Sequence, residues 1–513
     1  MSKALRWLTL SRLLVIVTFV AVFVMAMRTP LDTDTLWHLR AGEWQVQHRA
    51  LLRIDIFSHT RQGQAWINHS WLSQIILYAM YILLGDPGLA LYTAVLATAG
   101  MFFVYLQLEG DILVRSFVLI LASAAAAVFW TPRPQMISFF LSAVVLYLLW
   151  LYQKRGIDKL WWIPPLFILW GNLHGGFAIG FILLLLAMVG AGARWLFDGI
   201  LSEEEEAHSR TSFEPVTRLA VIGLISAAAV SLNPYGPSML LYPFRTVGIG
   251  VLRDYIQEWA SPNFHRPEVW PFIWMLLGTL ILVGVSGRRL DWRDAIFVGG
   301  TGYSALLAGR NIATFAIVTA PVISEHASAW LATIGYKMNW NRPPRTAGFG
   351  MLNGLLVIAV VTGGAIKIAY ALNPQIAEDA RRAGLPVEAV RFLETNHPQG
   401  PIFNSYNWGG YLIWTARDYP VYVDGRTDLY DDDLLTIYLK TYAANTGWEQ
   451  NLDNARINIV LVETQSPLAR VLEIDSDWRK AYEDNVAILF VRKDSLSPPE
   501  GVTTVVHTLR KTH

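Results

Sequence analysis

Long apolar runs occupy most of the first 372 residues of this 513-residue chain. About 20 apolar residues in helical form span the hydrocarbon core of a bilayer. Hydrophobic residues make up 53% of the sequence and charged residues only 16%, which excludes an ordinary soluble protein. The apolar runs fall at about 5–27, 87–108, 112–130, 135–152, 160–172, 176–197, 216–233, 270–286, 294–308, 311–334 and 347–371. The sequence therefore predicts a polytopic α-helical membrane protein with about 11 transmembrane helices.

The positions of basic residues predict the orientation, because Lys and Arg accumulate in short cytoplasmic loops. Basic residues precede the first run and no small-residue cleavage site follows it, which is typical of an uncleaved signal anchor. Three later loops carry basic clusters, at 154–159, 288–293 and 337–345. All four sites are cytoplasmic only if the short apolar stretch Trp71–Leu84 lies along the outer surface instead of crossing. We therefore expect a multi-pass cell-membrane protein with a cytoplasmic N-terminus and an extracytoplasmic C-terminus.

The composition changes after Leu372, where no apolar run is long enough to cross a membrane and acidic residues outnumber basic ones. Patterns typical of helices and strands alternate there. Helices are expected at 386–395 and 431–443, and strands at 401–404, 420–423, 457–463 and 486–491. The sequence thus predicts a transmembrane domain over residues 1–372, with an external first loop at 28–86, and an extracytoplasmic α/β soluble domain over 373–513.

Polar and ionisable residues recur at the helix ends that this topology places outside. Such groups are costly beside a bilayer unless partners or function retain them. The set comprises Asp32, Asp34, His38, Arg40, Asp55, His69, Arg133, Asn172, His174, Asn233, Glu258, Arg310 and Asn311. The opposite ends are expected to carry only basic anchors and the acidic run Glu203–Glu206, which is typical of a solvated linker. This asymmetry indicates an outward-facing site.

The residue types in this set suit group transfer to a hydroxyl. Asp34, expected as the N-cap of a helix with His38 one turn later, can take a proton from an attacking hydroxyl. Arg133 and Arg310 can hold a phosphate and stabilise its charge as it leaves. Asp32 and Asp34 could alternatively hold Mg²⁺ or Mn²⁺, which prefer oxygen ligands. The absence of cysteine excludes disulfides and thiol catalysis.

Each of these residues also has a structural interpretation. Asp34 can serve as a helix cap alone, and Arg133 between two prolines can be an interfacial anchor. His174, which precedes two glycines, can form a structural hydrogen bond in tight helix packing. Glu258 can simply pair with an arginine, and Asn233–Gly236 reads as a helix end followed by a turn.

Four segments resemble a bacterial branch of the GT-C superfamily of integral-membrane glycosyltransferases. They are Asp32–Trp44, Trp170–Phe177, Asn233–Gly236 with Glu258-Trp259, and Asn404–Trp414 with Asp424-Gly425-Arg426. The resemblance implies a sugar donor on polyprenyl phosphate or pyrophosphate and basic groups that bind its phosphate. It also implies a first-loop carboxylate that acts as base or metal ligand. On this basis Asp34, with Asp32 assisting, is the expected catalytic carboxylate, and a Mg or Mn cofactor is left open.

The predicted function is therefore transfer of a sugar from a polyprenyl-phosphate-linked donor to an acceptor protein, lipid or glycan. The expected partners also include membrane lipid, and no nucleic-acid partner is expected. The expected substrate-binding residues are Arg133, Arg310, His38, Arg40, His174 and Glu258. One alternative is transfer of a preassembled glycan, as in oligosaccharyltransferases and ligases. Another is a non-enzymatic transporter or scaffold for envelope glycans. A transporter commonly has internal repeats and ionisable groups near the bilayer midplane, and this sequence has neither pattern.

Two features of the C-terminal domain point to an acceptor. The segment Tyr406–Tyr411 resembles the Trp-Trp-Asp-Tyr-Gly acceptor-binding motif of oligosaccharyltransferases but lacks its acidic position. Asp424, Arg426 and Asp428 follow a predicted strand. These three residues can be interpreted as the lining of an acceptor groove or as a surface ion-pair network.

Overall fold

The computed structural model describes residues 7–201, 212–248, 250, 258–336 and 347–493. The chain forms two compact units. The first comprises Met1–Arg53 and Ala65–Glu378, and the second comprises Ile54–Gln64 and Asp379–His513. The second unit therefore begins close to the predicted boundary after residue 372, and it also takes in a short piece of the predicted first loop.

Helices form at each of the positions predicted from the apolar runs. In chain order they are α1 (Leu10–Ala26), α2 (Thr33–His48), α3 (Trp71–Leu84), α4 (Asp86–Tyr105), α5 (Ile112–Ala126), α6 (Gln135–Arg155), α7 (Ile163–Leu173), α8 (Phe177–Leu201), α9 (Glu214–Val230), α10 (Tyr242–Val247), α11 (Trp270–Val285), α12 (Trp292–Leu307), α13 (Ile312–Thr333), α14 (Ala347–Ala371) and α15 (Pro374–Gly384). By length and composition, seven helical stretches in the described part of the chain can cross a membrane. The chain is a multi-pass membrane protein, although several of the 11 predicted spans, such as Leu10–Ala26, are shorter than a full crossing.

Short polar side chains and glycines set the helix ends. Asp111 caps α5, because its carboxylate accepts hydrogen bonds from the backbone amides of Leu113 and Val114. Asp291 caps α12 in the same way by accepting from the amide of Arg293. Gly156, at φ 67°, ends α6 in the left-handed conformation that favours glycine.

A cluster of ion pairs joins the helices at one end of α6. Lys154, in the last turn of α6, lies 2.6 Å from Asp294. The neighbouring Arg293 lies 2.8 Å from the same carboxyl group, and Arg288 lies 2.8 Å from Glu325. Two of the three basic loops thus meet, as their assignment to one membrane face requires. The expectation that this end carries only basic anchors is wrong, since the buried Asp294 and the half-buried Glu325 pair with them. The predicted acidic linker Glu203–Glu206 lies outside the described residues.

The end of α1 and the beginning of α4 lie near the other end of α6. The Arg28 guanidinium donates to the Ala127 carbonyl at 3.1 Å, and the Tyr92 hydroxyl donates to the Arg133 carbonyl at 3.3 Å. Since α6 has 21 residues, this end lies about 30 Å from Lys154. The chain between α1 and α4, which includes the 14-residue helix Trp71–Leu84, therefore begins and ends near the same end of α6.

The second unit contains a four-stranded sheet with small helices. Its strands are β1 (Ile402–Asn404), β2 (Ile459–Glu463), β3 (Trp478–Glu483) and β4 (Ala487–Arg492), and its further helices are α16 (Val387–Asn396), α17 (Gly409–Thr415), α18 (Asp432–Tyr442), α19 (Trp448–Asn454) and α20 (Pro467–Leu472). The strand order is β1-β2-β4-β3, with β1 parallel to β2 and the other pairs antiparallel. The α/β character is as predicted. The sequence analysis missed β3, and the predicted strand at 420–423 makes only an isolated bridge between Val421 and Ser58.

A buried ion network holds the segment Ile54–Gln64 in the second unit. The Arg426 guanidinium lies 2.6 Å from both Asp55 and Asp424, and all three side chains are fully buried. The Tyr430 hydroxyl donates to Asp424 at 2.7 Å. For Asp424 and Arg426, the acceptor-groove and surface-network interpretations are therefore both wrong, because these groups lie in the interior of the unit.

The segment that resembles the acceptor-binding motif is also packed inward. Tyr406–Trp408 forms a short 3₁₀ turn that leads into α17. Trp408 is 3% exposed, and its indole donates to the Gly384 carbonyl. Trp408–Tyr411 therefore belongs to the core of the second unit, whereas Tyr406 is half-buried and Asn407 is exposed.

Candidate active site

The first-loop aspartates occupy two different positions at the start of α2. Asp32 is the N-cap, and its carboxylate accepts from the Asp34 amide at 3.0 Å. The prediction that Asp34 caps this helix is therefore wrong. Asp34 lies in the first helical turn, and its side chain accepts from the Trp37 indole at 3.2 Å. The free amides of a helix N-terminus favour carboxylates at both positions.

Two prolines fix Arg133 opposite these aspartates. Pro134 forms the N-cap of α6, where proline is tolerated because the first helical amides have no intrahelical partner. The hydroxyl of Thr35 in α2 donates to the Pro132 carbonyl at 3.1 Å and so joins the two segments. The Arg133 side chain is only 10% exposed. Arg133 is therefore part of the rigid frame of the site rather than a free interfacial anchor.

Three carboxylates converge on the Arg133 guanidinium. One terminal nitrogen donates to Asp34 at 2.6 Å, and the other donates to both oxygens of Glu258 at 2.9 and 3.0 Å. The Nε atom lies 3.5 Å from Asp32, and Gln135 accepts a further bond at 2.6 Å. We call Asp32, Asp34, Glu258 and Arg133 the carboxylate cluster. Its three acidic groups share one fixed cation.

The environment separates the pKa values within this cluster. Burial raises the pKa of Asp34 to about 7; Arg133 opposes this shift, while the charges of Asp32 and Glu258 add to it. Burial also acts to raise the pKa of Glu258, but Arg133 and Arg310 outweigh it and lower that pKa. Glu258 is consequently ionised at neutral pH, whereas Asp34 exchanges a proton near pH 7, as a general base must.

Arg310 lies on the other side of Glu258. Its backbone amide donates to the Glu258 carbonyl at 3.1 Å, and its guanidinium stacks over the Trp259 ring at 4.2 Å from the centroid. Stacking holds a guanidinium in place without using its N–H donors. Among the residues that the structure describes, none accepts a hydrogen bond from this guanidinium or forms an ion pair with it. Arg310 therefore presents a fixed positive charge with donors available to an anion.

His174 lies close to both arginines in a neutral form. Its Nδ1 atom accepts from the Gly176 amide at 3.1 Å and lies 2.7 Å from the Ser138 hydroxyl, which accepts from the Trp170 indole. Burial lowers the pKa of His174 well below its usual value, and His69, Arg310 and Arg133 lower it further. Because Nδ1 is an acceptor, the proton of the neutral ring is on Nε2.

Two glycines allow the loop of His174 to pack against its neighbours. A Cβ on Gly176 would lie 2.4 Å from the Ser138 hydroxyl oxygen, and one on Gly175 would lie 2.6 Å from the Tyr242 ring. Tyr242 in turn stacks on His69 at 4.4 Å. The Gly-Gly sequence therefore serves close packing around the histidine. The structural interpretation of His174, a hydrogen-bonded histidine in tight packing, is therefore confirmed.

Other predicted residues have partners elsewhere. His38 lies 3.3 Å from the Gln74 side-chain amide, between α2 and α3. Arg40 pairs with Glu43 of its own helix at 2.6 Å. Asp55 lies within the second unit. Asn233 accepts from the Tyr235 amide at 2.7 Å, which confirms the predicted turn after α9.

Three residues near the site have no role predicted from sequence, although Trp259 stands beside Glu258 in one of the four resembling segments. Trp259 orients Arg310, Ser138 bonds to His174, and Tyr242 stacks on His69. Isolated aromatic and hydroxyl residues carry no spacing signal, since most of them pack or bond in ordinary helix interfaces. Among the three, only Trp259 could have been predicted as a site residue, because it directly follows Glu258 in the sequence.

With Arg133 in place, the carboxylate cluster does not fit a divalent metal. Among the described residues, no group of three or more His, Cys, Asp or Glu side chains has a geometry that could hold an ion. Asp34 accepts from Trp37 and Arg133, and Asp32 accepts from a backbone amide. The guanidinium already occupies the point on which the three carboxylates converge.

Comparisons with known proteins place the fold. The sequence matches no protein-family profile and no curated protein at a significant level. The structure resembles the oligosaccharyltransferase AglB from Archaeoglobus fulgidus, solved with an inhibitory peptide and a dolichol-phosphate, with a TM-score of 0.56 and 12% identity over 95% of this chain and 74% of that one. A second structure of the A. fulgidus oligosaccharyltransferase, tethered to an acceptor peptide, gives a TM-score of 0.52 and 13% identity over 88% and 69% of the two chains. ArnT from Cupriavidus metallidurans, solved with undecaprenyl phosphate, gives a TM-score of 0.42 and 13% identity over 95% and 99%. The likeness to AglB confirms the predicted GT-C-like membrane fold with a C-terminal α/β unit.

Proposed function

We propose that this protein is a membrane glycosyltransferase that moves a sugar from a polyprenyl-phosphate-linked donor to an acceptor hydroxyl. The observation that carries the proposal is that Glu258 contacts Arg310 through its backbone carbonyl and, through its side chain, the guanidinium of Arg133 that also holds Asp34. Arg310 offers guanidinium donors that no described residue uses, while Asp34 has a pKa of about 7. An anion site beside a general base is what transfer from a phosphate leaving group to a hydroxyl requires.

Arg310 is the proposed phosphate-binding residue. Its guanidinium matches phosphate oxygens with paired hydrogen bonds, and stacking on Trp259 fixes its direction before the ligand arrives. The Nε2–H group of neutral His174 is a second proposed donor near the same anion. Arg133, expected from sequence to bind phosphate, is better suited to orient carboxylates, because Asp34, Glu258 and Gln135 already use its donors.

Asp34 is the proposed base. As the acceptor oxygen attacks the anomeric carbon, its proton passes to the Asp34 carboxylate, and the bond from that carbon to the phosphate oxygen breaks. The electron pair of this bond leaves with the polyprenyl phosphate, whose charge Arg310 stabilises. Arg133 and the Trp37 indole hold Asp34 in place, while its side chain remains 27% exposed and so accessible to an acceptor.

The shared fold supports the proposed donor class. The AglB structure contains dolichol-phosphate, a polyprenyl phosphate, and that fold likeness extends over 95% of this chain. The proposed site lies about 30 Å from the ion pairs around Lys154, where two of the basic loops meet. Under the rule that basic loops remain cytoplasmic, the proposed site faces outward.

Transfer of a preassembled glycan is the second candidate function. It is favoured by the fold likeness to AglB, an oligosaccharyltransferase. Recognition of a peptide acceptor through Tyr406–Tyr411 is not part of this proposal, since Trp408 of that segment is buried. The two candidates share Asp34 and Arg310 and differ in the glycan that the donor carries.

Binding of polyprenyl phosphate tests the role of Arg310. Purified protein in detergent is titrated with undecaprenyl phosphate, and binding is followed by the quenching of tryptophan fluorescence. Arg310→Gln should weaken binding about 10- to 100-fold, the value of one or two charge-assisted hydrogen bonds.

The matched control is Arg266→Gln. Arg266 lies between α10 and α11 with its side chain 58% exposed, beside the equally exposed Glu268. This variant should bind the lipid phosphate as tightly as wild type does. Equal affinities for wild type and Arg310→Gln, or an equal loss in both variants, would contradict the proposed phosphate site.

A further inference from the structure

The carboxylate cluster contains more negative charge than the proposed reaction uses. One base suffices for the transfer, yet Asp32 and Glu258 also point at the same guanidinium. With Asp34 ionised, the cluster carries three negative charges and one positive charge. In proteins, a convergence of carboxylates is the usual setting for a divalent cation.

Arg133 occupies the place where such a cation would lie. Its terminal nitrogens are 2.6 Å from Asp34 and 2.9 Å from Glu258, and its Nε is 3.5 Å from Asp32. The side chain is 10% exposed and is held through Gln135, which is itself buried and bonded to the Phe129 carbonyl. A divalent ion could reach these oxygens only by displacing a buried guanidinium that is bonded on every side.

We propose that Arg133 is the resident cation of this site, a positioning residue that replaces a divalent metal by orienting Asp34 and balancing the charge of Asp32 and Glu258. This inference rests on the proposed function for its catalytic consequence, which is transfer without added metal. Its structural part, that Arg133 excludes a metal which the carboxylates could otherwise bind, can be tested without any sugar donor.

The residue type fits this role better than lysine would. A planar guanidinium donates in several fixed directions and can bond two carboxylates while it pairs with a third, as Arg133 does here with Asp34, Glu258 and Asp32, whereas an ammonium is a compact point charge. A guanidinium also keeps its proton under all working conditions. The three neighbouring carboxylates raise the pKa of Arg133 further, although burial alone would lower it.

Electron paramagnetic resonance of Mn²⁺ tests the inference on full-length protein in detergent. Wild type should leave the signal of free Mn²⁺ unchanged at millimolar metal. Arg133→Gln should bind Mn²⁺ about 100-fold more tightly, since removal of a cation within a few ångströms abolishes its repulsion of the metal. The gain should vanish in Arg133→Gln combined with Asp34→Asn.

Two further variants keep the test decisive. Arg310→Gln removes a neighbouring cation that does not bond the carboxylates, so it should gain no Mn²⁺ binding. Arg133→Lys keeps the charge and should exclude Mn²⁺ as wild type does. If Arg133→Gln fails to fold, Mn²⁺ binding by Arg133→Lys still shows whether a cation at this position excludes the metal. Mn²⁺ binding by wild type that Asp34→Asn abolishes would overturn the inference, as would a well-folded Arg133→Gln that binds no metal.

An activity measurement then separates this inference from the proposed function. Membranes washed with EDTA should transfer sugar at the wild-type rate, and Mn²⁺ should add nothing. Activity that is lost with EDTA and restored by Mn²⁺ would overturn the resident-cation inference while supporting the transferase. A complete absence of transfer would contradict the proposed function, and the Mn²⁺ titration would still decide the role of Arg133.

Discussion

Replacement of Arg426 by methionine should loosen the segment Ile54–Gln64 from the second unit. The guanidinium is fully buried and lies 2.6 Å from both Asp55 and Asp424, so Arg426→Met leaves two buried carboxylates without their cation. Breaking a buried ion pair by removing one partner costs about 3–5 kcal/mol. Asp55 retains bonds from the Ser58 hydroxyl and two amides, and Asp424 retains the Tyr430 hydroxyl, which favours the lower end of that range.

A destabilisation of about 3 kcal/mol raises the open population of the segment about 100-fold, since about 1.4 kcal/mol corresponds to a factor of ten. The assay is limited trypsin digestion of the full-length protein in detergent, with cleavage after Arg61 followed by mass spectrometry. When opening is fast relative to cleavage, the nicking rate reports this open population. Arg61 is protected in the native unit by its ion pair with Asp431 and its 17% exposure.

Two variants calibrate this prediction. Asp55→Asn should accelerate nicking less, because Arg426 keeps its two bonds to Asp424 at 2.8 and 2.6 Å. Lys480→Gln removes an exposed ion pair of the same unit and should leave the rate unchanged. A nicking rate for Arg426→Met within a factor of about three of wild type would refute the reasoning, since it would mean that the buried network contributes less than 1 kcal/mol.

Three further predictions concern Asp34, Arg310 and the ion pairs around Lys154. The transfer rate should rise about tenfold between pH 6 and pH 8, because the base must be deprotonated and Asp34 has a pKa of about 7; Glu258→Gln should move the midpoint of this profile to lower pH by removing a charge that raises this pKa. Arg310→Lys should raise KM for the lipid donor about tenfold and lower kcat less, since lysine keeps the charge that stabilises the departing phosphate but loses the paired hydrogen bonds to the bound donor. Lys154→Met should lower the melting temperature by several degrees without changing donor affinity, because it breaks the ion pair to Asp294 about 30 Å from the site. A pH-independent rate would contradict the role of Asp34, and an unchanged KM in Arg310→Lys would contradict the role of Arg310. An altered donor affinity in Lys154→Met would contradict the separation of that ion pair from the site.

The secondary structure of the membrane domain was predictable from sequence because apolar runs, polar caps and turn residues are local signals. The choice between Asp32 and Asp34 as N-cap was not predictable in the same way. The two residues are the same chemical group two positions apart, and only the exact point where the backbone turns helical decides between them. An error of two residues in the predicted start of α2 therefore assigns the capping role of Asp32 to Asp34.

The contacts that define the site lie beyond the reach of local patterns. Arg133 is 99 residues from Asp34 and 125 from Glu258 along the chain. Sequence could place their helix ends on one side of the membrane but could not tell which charges would pair. Arg133 was consequently assigned to phosphate, whereas in the folded protein carboxylates use its donors.

In the second unit, too, the decisive contacts join residues that are far apart in the sequence. Asp55 and Arg426 are 371 residues apart, so nothing in the first loop indicates that its segment Ile54–Gln64 packs with the C-terminal unit. Ionic residues after a strand suggested a surface, because charged groups are rarely buried. Here two carboxylates, one guanidinium and the Tyr430 hydroxyl satisfy one another in the interior.

The most direct test of the proposed activity is sugar transfer itself. Membranes that express wild type or Asp34→Asn are supplied with radiolabelled polyprenyl-phosphate sugars, and label is followed into protein, lipid and glycan fractions. Wild type should transfer sugar from at least one donor, and Asp34→Asn should lower the rate about 100-fold or more, the usual contribution of a general base. Transfer that is equally fast in the Asp34→Asn variant, or no wild-type transfer from any donor in the series, would contradict the proposed activity.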